Sequence, residues 1–181
     1  MASQRRLYEH LARRFYAGIY KYLLWLSRDA DLAKDLTQET FVQIWQHPPE
    51  NRGERALKAW VYRIARNEYL QHRRRAGIPT VALEECELLE SDLALAPTVD
   101  PQLRLEQAEL SRVVQAALED LPEAFREAIV LHEFEGLSQG EIAEVLGVPV
   151  GTVKSRISRG FAGLREALAS EVRGHELHQS T

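Results

Sequence analysis

Gly136-Leu137-Ser138-Gln139-Gly140-Glu141-Ile142-Ala143-Glu144-Val145-Leu146-Gly147-Val148-Pro149-Val150-Gly151-Thr152-Val153-Lys154-Ser155-Arg156 reads as two helices joined by a tight turn. Ser138 and Glu141 stand three apart and make a capping box, in which the serine oxygen and the glutamate carboxylate satisfy free N–H groups where a helix begins. Ile142, Ala143 and Leu146 give that helix an inner face, and Ala143 is small where a second helix must cross closely. Gly147 is suited to the left-handed conformation that ends a helix. Pro149 stands where the next one starts. The second helix is expected to pack inward through Val153, Ile157, Phe161 and Leu164. Helical geometry then leaves Gly151, Ser155, Ser158, Arg159 and Ala162 on the opposite side, with Thr152, Lys154 and Arg156 on the flanks. Small and hydroxyl residues with basic flanks suit a helix that enters a major groove, where serine bonds either base and Arg or Lys reaches guanine or phosphate. The plainer alternative is a helical hairpin with a solvated basic face, and the agreement of so many turn-specific residues weighs against it.

Charge along the chain supports contact with a polyanion. The net charge of −4, from 23 Lys+Arg against 27 Asp+Glu, conceals strong local asymmetry. Arg52 to Arg75 carries eight basic residues against two acids. Ala76 to Glu109 carries eight acids against Arg104 alone, and Val148 to Arg165 carries four basic residues and no acid. Phosphate contacts are made locally by Lys and Arg, so the two basic patches count for more than the average.

The 181 residues, 45% hydrophobic, suffice for one compact domain or two small ones. A single cysteine, Cys86, excludes an internal disulfide and Cys-rich zinc folds, which makes a reducing cytoplasmic setting the expectation. Phe15 to Leu26, the most apolar early stretch, contains Lys21 and is too short to span a bilayer, so neither membrane insertion nor an export signal is expected.

The fold class expected is all-α, in two small modules. Leu7, Leu11, Phe15, Ile19 and Leu23 recur every four residues and form one amphipathic helix. A second runs from about Ala30 to Gln46, with Leu32, Leu36, Phe41, Ile44 and Trp45 inward and Asp35, Gln38, Glu39, Val42 and Gln46 on another face; Pro48 and Pro49 end it. A third covers roughly Ala56 to Arg75. From Gly77 to Pro101 the periodicity fails, acids cluster and prolines punctuate, which is the composition of a linker. Helical periodicity resumes with Leu103, Leu110, Val113, Val114 and Leu118, and again through Phe125, Ile129 and Val130. The boundaries expected are 1–75 for the first module, 76–102 for the linker, 103–172 for the second module and 173–181 for a polar tail. A flexible linker of about 25 residues spans ~25–30 Å and would let the modules swing apart. Its acids read most plainly as a solvated tether, and alternatively as a strand of charge lying over the basic surfaces.

These segments together resemble the group 4, extracytoplasmic-function, sigma factors of bacterial RNA polymerase. Asp35-Leu36-Thr37-Gln38-Glu39-Thr40-Phe41-Val42-Gln43-Ile44-Trp45 is similar to that family's polymerase-docking helix. Trp60-Val61-Tyr62-Arg63-Ile64-Ala65-Arg66-Asn67, with Arg73 and Arg74 behind, is similar to its −10-engaging helix. Leu121-Pro122-Glu123-Ala124-Phe125-Arg126-Glu127 and Glu135 through Arg159 resemble its −35-reading helices. The order and separation of all four carry the resemblance. It implies core RNA polymerase, promoter DNA and an anti-sigma factor as partners, and polymerase contact through Asp35, Gln38 and Glu39. It further implies −10 contact through Arg63, Arg66, Asn67, Arg73 and Arg74, and −35 contact through Thr152, Lys154, Ser155, Arg156, Ser158 and Arg159. Trp60 is expected to be structural. The chain departs from the family's pattern in having no aromatic residue between His47 and Ala56, Gln71 where Asp is common, Gly140 inside a helix, and Gly160-Phe161-Ala162-Gly163 where more arginine is usual.

A catalytic reading has little behind it. The histidines are scattered, and His175 and His178 share a helical face with no third ligand nearby. No phosphate-cradling loop or nucleophile motif is present, so no enzyme activity, cofactor or metal is expected. A one-component repressor or response-regulator output domain would use the second module and leave Asp35–Trp45 and Trp60–Arg75 idle. A protein-binding helical adaptor would show no salt-sensitive DNA affinity.

Overall fold

The computed structural model describes residues 2–49, 53–78 and 112–178. All regular structure among them is helical: α1 (Ala2–Ser27), α2 (Ala30–Gln46), α3 (Glu54–Arg75), α4 (112–119), α5 (Glu123–Ile129), α6 (Gln139–Leu146) and α7 (Val150–His178). All but 76–78 of the expected linker lies outside the described residues. α7 runs through His178, so the tail from 173 begins as helix.

Local chemistry sets the ends. Asp29 caps α2, its carboxylate accepting from the N–H groups of Asp31 at 2.9 Å and Leu32 at 3.0 Å. Between α1 and α2, Arg28 adopts φ 55°, a left-handed conformation uncommon for a side-chain-bearing residue. Its guanidinium donates to the Glu119 carbonyl at 2.7 Å, which ties this turn to the end of α4. α3 closes on Arg73, Arg74 and Arg75, cations placed favourably at the negative end of a helix dipole. Ser138 and Glu141 form the capping box of α6, and Gly147 ends it at φ 66°.

α1 is the central helix. Its fully buried Leu11, Ile19, Tyr22 and Leu23 pack with Leu36 and Ile44 of α2 and Val61 and Ala65 of α3. The same core continues into the second module through Leu131, Leu137, Ile142 and Leu146. The modules therefore pack together, with α6 lying on α3, where the sequence suggested swinging apart. A smaller cluster of Leu118, Leu121 and Ile129 takes in Leu164 from α7 and Trp25 from α1.

Two expected core aromatics lie elsewhere. Trp45 is 42% exposed, set edge-on to Tyr8 at 5.2 Å between ring centroids, on the rim of the α1–α2 face. Phe161 is 38% exposed because Gly160 holds the inward position. A Cβ there would stand 3.1 Å from Ile129 Cγ1 and 3.4 Å from the Phe125 carbonyl oxygen, and at Gly163 it would meet Leu121 Cδ2. Of the two glycines that make this stretch less basic, Gly160 lets α5 approach α7 and Gly163 leaves room for Leu121, just before α5. α5 itself continues as one π-helical turn, Val130–Phe134, which the periodicity had not suggested. That turn leaves Phe134 more than half exposed, with its ring 6.0 Å from Trp25.

Candidate nucleic-acid and polymerase interfaces

α7 is built as a helix with one face buried and one face open. Val153, Ile157 and Gly160 are buried, and behind them Lys154, Ser155, Ser158 and Arg159 are exposed, with Thr152 and Arg156 half-buried at the flanks. Short side chains at Gly151, Ser155 and Ser158 leave the open face low enough to approach a groove. All six residues expected to read the upstream element lie on or beside this one surface.

α2 presents Asp35, Gln38 and Glu39 to solvent on a single face, together with Val42, which is 51% exposed. Behind them Ala33, Leu36, Thr37 and Thr40 are buried, and the two threonine hydroxyls donate to the carbonyls of Ala33 and Leu36 within the helix. Charge on the outer face can therefore be changed without disturbing the core.

α3 divides its cations between two faces. Arg63, Asn67 and Arg74 are exposed. Beside them a cavity of about 520 Å³ opens between α3 and the end of α2, lined by Trp60, Ile64, Asn67, Gln71, Pro48 and Pro49 among others. Trp60 thus forms part of a wall that a small planar group could meet. Gln71 accepts from Arg75 at 3.3 Å, which occupies it along its own helix.

The other face of α3 is covered by the second module. Arg66 Nε donates to Glu127 Oε1 at 2.9 Å, and the buried Tyr22 hydroxyl donates to that same oxygen at 2.8 Å. Arg73 Nη1 meets both oxygens of Glu123 at 3.3 and 3.4 Å, each side chain only 9% exposed. The Tyr62 hydroxyl donates to the Glu135 carboxylate, and Lys58 donates to the Glu135 backbone carbonyl. Tyr69, under the Arg73 guanidinium at 5.8 Å, donates to the Leu26 carbonyl. Arg66 and Arg73, expected on the downstream element, thus have carboxylate partners in this arrangement, while Arg63, Asn67 and Arg74 remain open.

Burial governs the ionisation of this network. It pushes the Glu123 carboxyl up to about 6, against the opposing pull of Arg73, and pushes the Tyr69 hydroxyl up to about 12. It lowers Arg126, whose Nη1 donates to the Glu119 carbonyl at 3.1 Å and whose Nε is buried without a hydrogen-bond partner. The sequence reading missed Glu123, Glu127, Glu135, Tyr22, Lys58 and Tyr62 as a set. The signal was present: Lys58, Tyr62, Arg66, Tyr69 and Arg73 recur at helical spacing, and Glu123 and Glu127 stand four apart.

Comparison with known proteins places these surfaces in context. Residues 7–77 match the family model described as Sigma-70 region 2, and residues 111–164 match Sigma-70, region 4. The RNA polymerase sigma-H factor of Pseudomonas aeruginosa is 34% identical over 170 residues, covering 92% of this chain and 88% of that protein. The ECF RNA polymerase sigma-E factor of Escherichia coli is 38% identical over 142 residues, covering 76% and 72% respectively. Among solved structures, the sigma factor RpoE in complex with the anti-sigma factor NepR from Bartonella quintana aligns with a TM-score of 0.68 at 28% identity, over 89% of this chain and 96% of that one. CnrH in complex with the cytosolic domain of CnrY aligns with a TM-score of 0.61 at 26% identity, over 92% and 90%.

Proposed function

The chain belongs to the sigma-70 family, as an extracytoplasmic-function member, and from that premise we propose how its own surfaces divide the work. It is an RNA polymerase sigma factor that directs promoter recognition and transcription initiation. Sigma factors are DNA-binding regulatory subunits rather than catalysts, and we assign this chain no reaction and no cofactor. No helix among the described residues is long and apolar enough to cross a membrane. We place its work in the cytoplasm, with core polymerase, promoter DNA and an anti-sigma factor as partners.

In this reading Asp35, Gln38 and Glu39 dock on a basic surface of core polymerase. Thr152, Lys154, Ser155, Arg156, Ser158 and Arg159 read the −35 element. Arg63, Asn67 and Arg74, joined by Arg66 and Arg73 once the modules part, hold the −10 region. Residues 1–75 and 103–172 act as the two modules. The observation that carries the reading is the open, basic and low-profile face of α7, set back to back with the buried Val153, Ile157 and Gly160. Its test is run-off transcription from a genomic promoter library with core polymerase. Start sites that depend on added chain are expected, and core enzyme that initiates identically without it would overturn the reading.

A further inference from the structure

Glu68 is a buried acid without a partner. It follows Asn67 on α3, is only 7% exposed, and its carboxylate makes no hydrogen bond or ion pair with any described residue. Burial raises its carboxyl above the usual range, the Glu39 carboxylate of α2 adds to the rise, and Arg75 opposes it. Ordinary solvation does not account for an acid so little exposed, because an unpaired carboxylate loses free energy when water is withdrawn from it.

Glu68 lines the cavity of about 520 Å³ between α3 and the end of α2. That volume falls within the ~300–1,000 Å³ of small-ligand sites. Trp60, Pro48 and Pro49 give the cavity apolar walls that a flat ring can lie against, and the amides of Gln43 and Asn67 bring donors and acceptors to the same walls. Arg63 and Arg74 are exposed on the same helix and draw a phosphate backbone toward it. A base stacked in a duplex cannot enter such a hollow, whereas an unstacked base from an opened strand can. This step rests on the promoter-reading roles proposed above.

A carboxylate then discriminates among bases. Ionised, it accepts hydrogen bonds and donates none. Adenine, cytosine and guanine each carry an exocyclic amine that donates to it. Thymine has no amine, and its ring N–H lies between two carbonyl oxygens that a carboxylate repels.

We propose that Glu68 is a specificity-determining residue of the α2–α3 cavity: its carboxylate accepts from the exocyclic amine of an unstacked promoter base, and the cavity thereby refuses thymine. The incoming amine supplies the partner that the fold withholds from Glu68, while Trp60 and the prolines hold the ring without regard to its identity. Selection at this position is thus set by one side chain of this chain.

The test uses the full chain assembled with core polymerase, on forked templates of a promoter recovered by run-off transcription. Each position of the −10 element is made in turn adenine, cytosine, guanine, thymine or 5-methylcytosine, which has the methyl group of thymine and the amine of cytosine. At one position thymine is expected to bind about tenfold more weakly than the best amine-bearing base, with 5-methylcytosine following cytosine. In Glu68→Gln, whose amide both donates and accepts, that penalty should shrink to about twofold or less, with preferences elsewhere unchanged. A purely structural Glu68 would alter affinity for all templates together and leave the ratio alone. Absence of a thymine penalty at every position, 5-methylcytosine behaving as thymine, or a penalty retained in a folded Glu68→Gln would each overturn the assignment. Should Glu68→Gln fail to fold by circular dichroism, the comparison of 5-methylcytosine with thymine in the parent decides alone. Holoenzyme that binds no fork at all would overturn the promoter reading itself, an outcome distinct from tight binding without base preference.

Discussion

The hydroxyl of Tyr22, near the C-terminal end of α1, donates at 2.8 Å to Oε1 of Glu127, on the other module's α5. Arg66 reaches that oxygen from α3, so one carboxylate joins three helices. Burial raises the Tyr22 hydroxyl well above its ordinary range, with Glu127 adding to the effect, so it is a neutral donor at all working pH. Tyr22 and Tyr62 pack edge-on at 5.5 Å, which couples the Glu127 contact to the neighbouring Tyr62–Glu135 contact.

Glu127→Ala is therefore expected to cost about 3 kcal/mol of stability, because it strands a mostly buried arginine and a fully buried hydroxyl together. Arg66→Ala should cost less, since Arg66 remains 20% exposed and Glu127 retains Tyr22. Urea unfolding of both singles and the double closes the cycle. A coupling energy of ~1–3 kcal/mol is expected for groups in one network, and additive losses would mean the two do not act together.

Ionisation of Glu123 makes closure of the second module onto α3 dependent on pH. Facing it are Arg66, Tyr69 and Arg73 from α3 and Arg126 and Glu127 from α5. Its carboxyl is raised to about 6 in the closed form and returns toward 4.5 when solvated. The closed form thus binds the proton more tightly. Closure strengthens as pH falls from above 6 toward 4.5 and weakens as pH rises through 6. The full difference corresponds to ~2 kcal/mol. The urea midpoint of unfolding, followed by circular dichroism, should rise between pH 7.5 and pH 5. In Glu123→Gln it should hardly move, and a midpoint that falls on acidification in the parent would reverse the sign argued here.

The helix-turn-helix was legible because capping, turn and packing all depend on neighbours in sequence: Ser138, Glu141, Gly147 and Val153 behave as their spacing implies. The exposed face of α2 was legible for the same reason. What the spacing could not convey was which module would cover which face. Arg66 and Arg73 look alike whether they await phosphate or carboxylate, because either anion satisfies a guanidinium. Phe161 was misplaced for a related reason. An aromatic at core spacing signals burial only if the opposing helix stays far enough away to need it, and Gly160 brings α5 close instead.

Charge reversal at Asp35→Lys and Glu39→Lys should weaken binding of core polymerase by at least tenfold, since two like-charge contacts replace two attractive ones. The helical circular dichroism should be retained, because the buried Leu36, Phe41 and Ile44 are untouched. Co-purification with core enzyme reads the outcome. Undiminished recovery of the complex would place docking on another face.

Arg159→Ala and Arg74→Ala should differ in kind. The first removes a side chain from the exposed side of α7 and is expected to relax base preference in the upstream element, with a loss of ~1–3 kcal/mol on the best sequence. The second removes an exposed cation beside the open end of α3 and should weaken all promoters by a similar factor, with a shallower salt dependence. Selection from a randomised promoter library separates the two. An unchanged upstream consensus in Arg159→Ala would mean that α7 meets DNA through a different side.

Glycine replacements test the close crossing of α5 and α7 against plain helix propensity. Gly140 lies in α6 where an added Cβ would meet nothing within 4 Å, so Gly140→Ala should stabilise by ~1 kcal/mol. Gly160→Ala gains the same propensity but places a methyl group against Ile129 and the Phe125 carbonyl oxygen. Overpacking costs ~1–3 kcal/mol, and Ile129, fully buried in its own cluster, has little room to swing aside. The balance is expected to be a net loss at Gly160, and likewise at Gly163 against Leu121. Urea midpoints should therefore move up for Gly140→Ala and down for the other two. A rise at all three would show that α5 and α7 do not cross as closely as Gly160 and Gly163 allow.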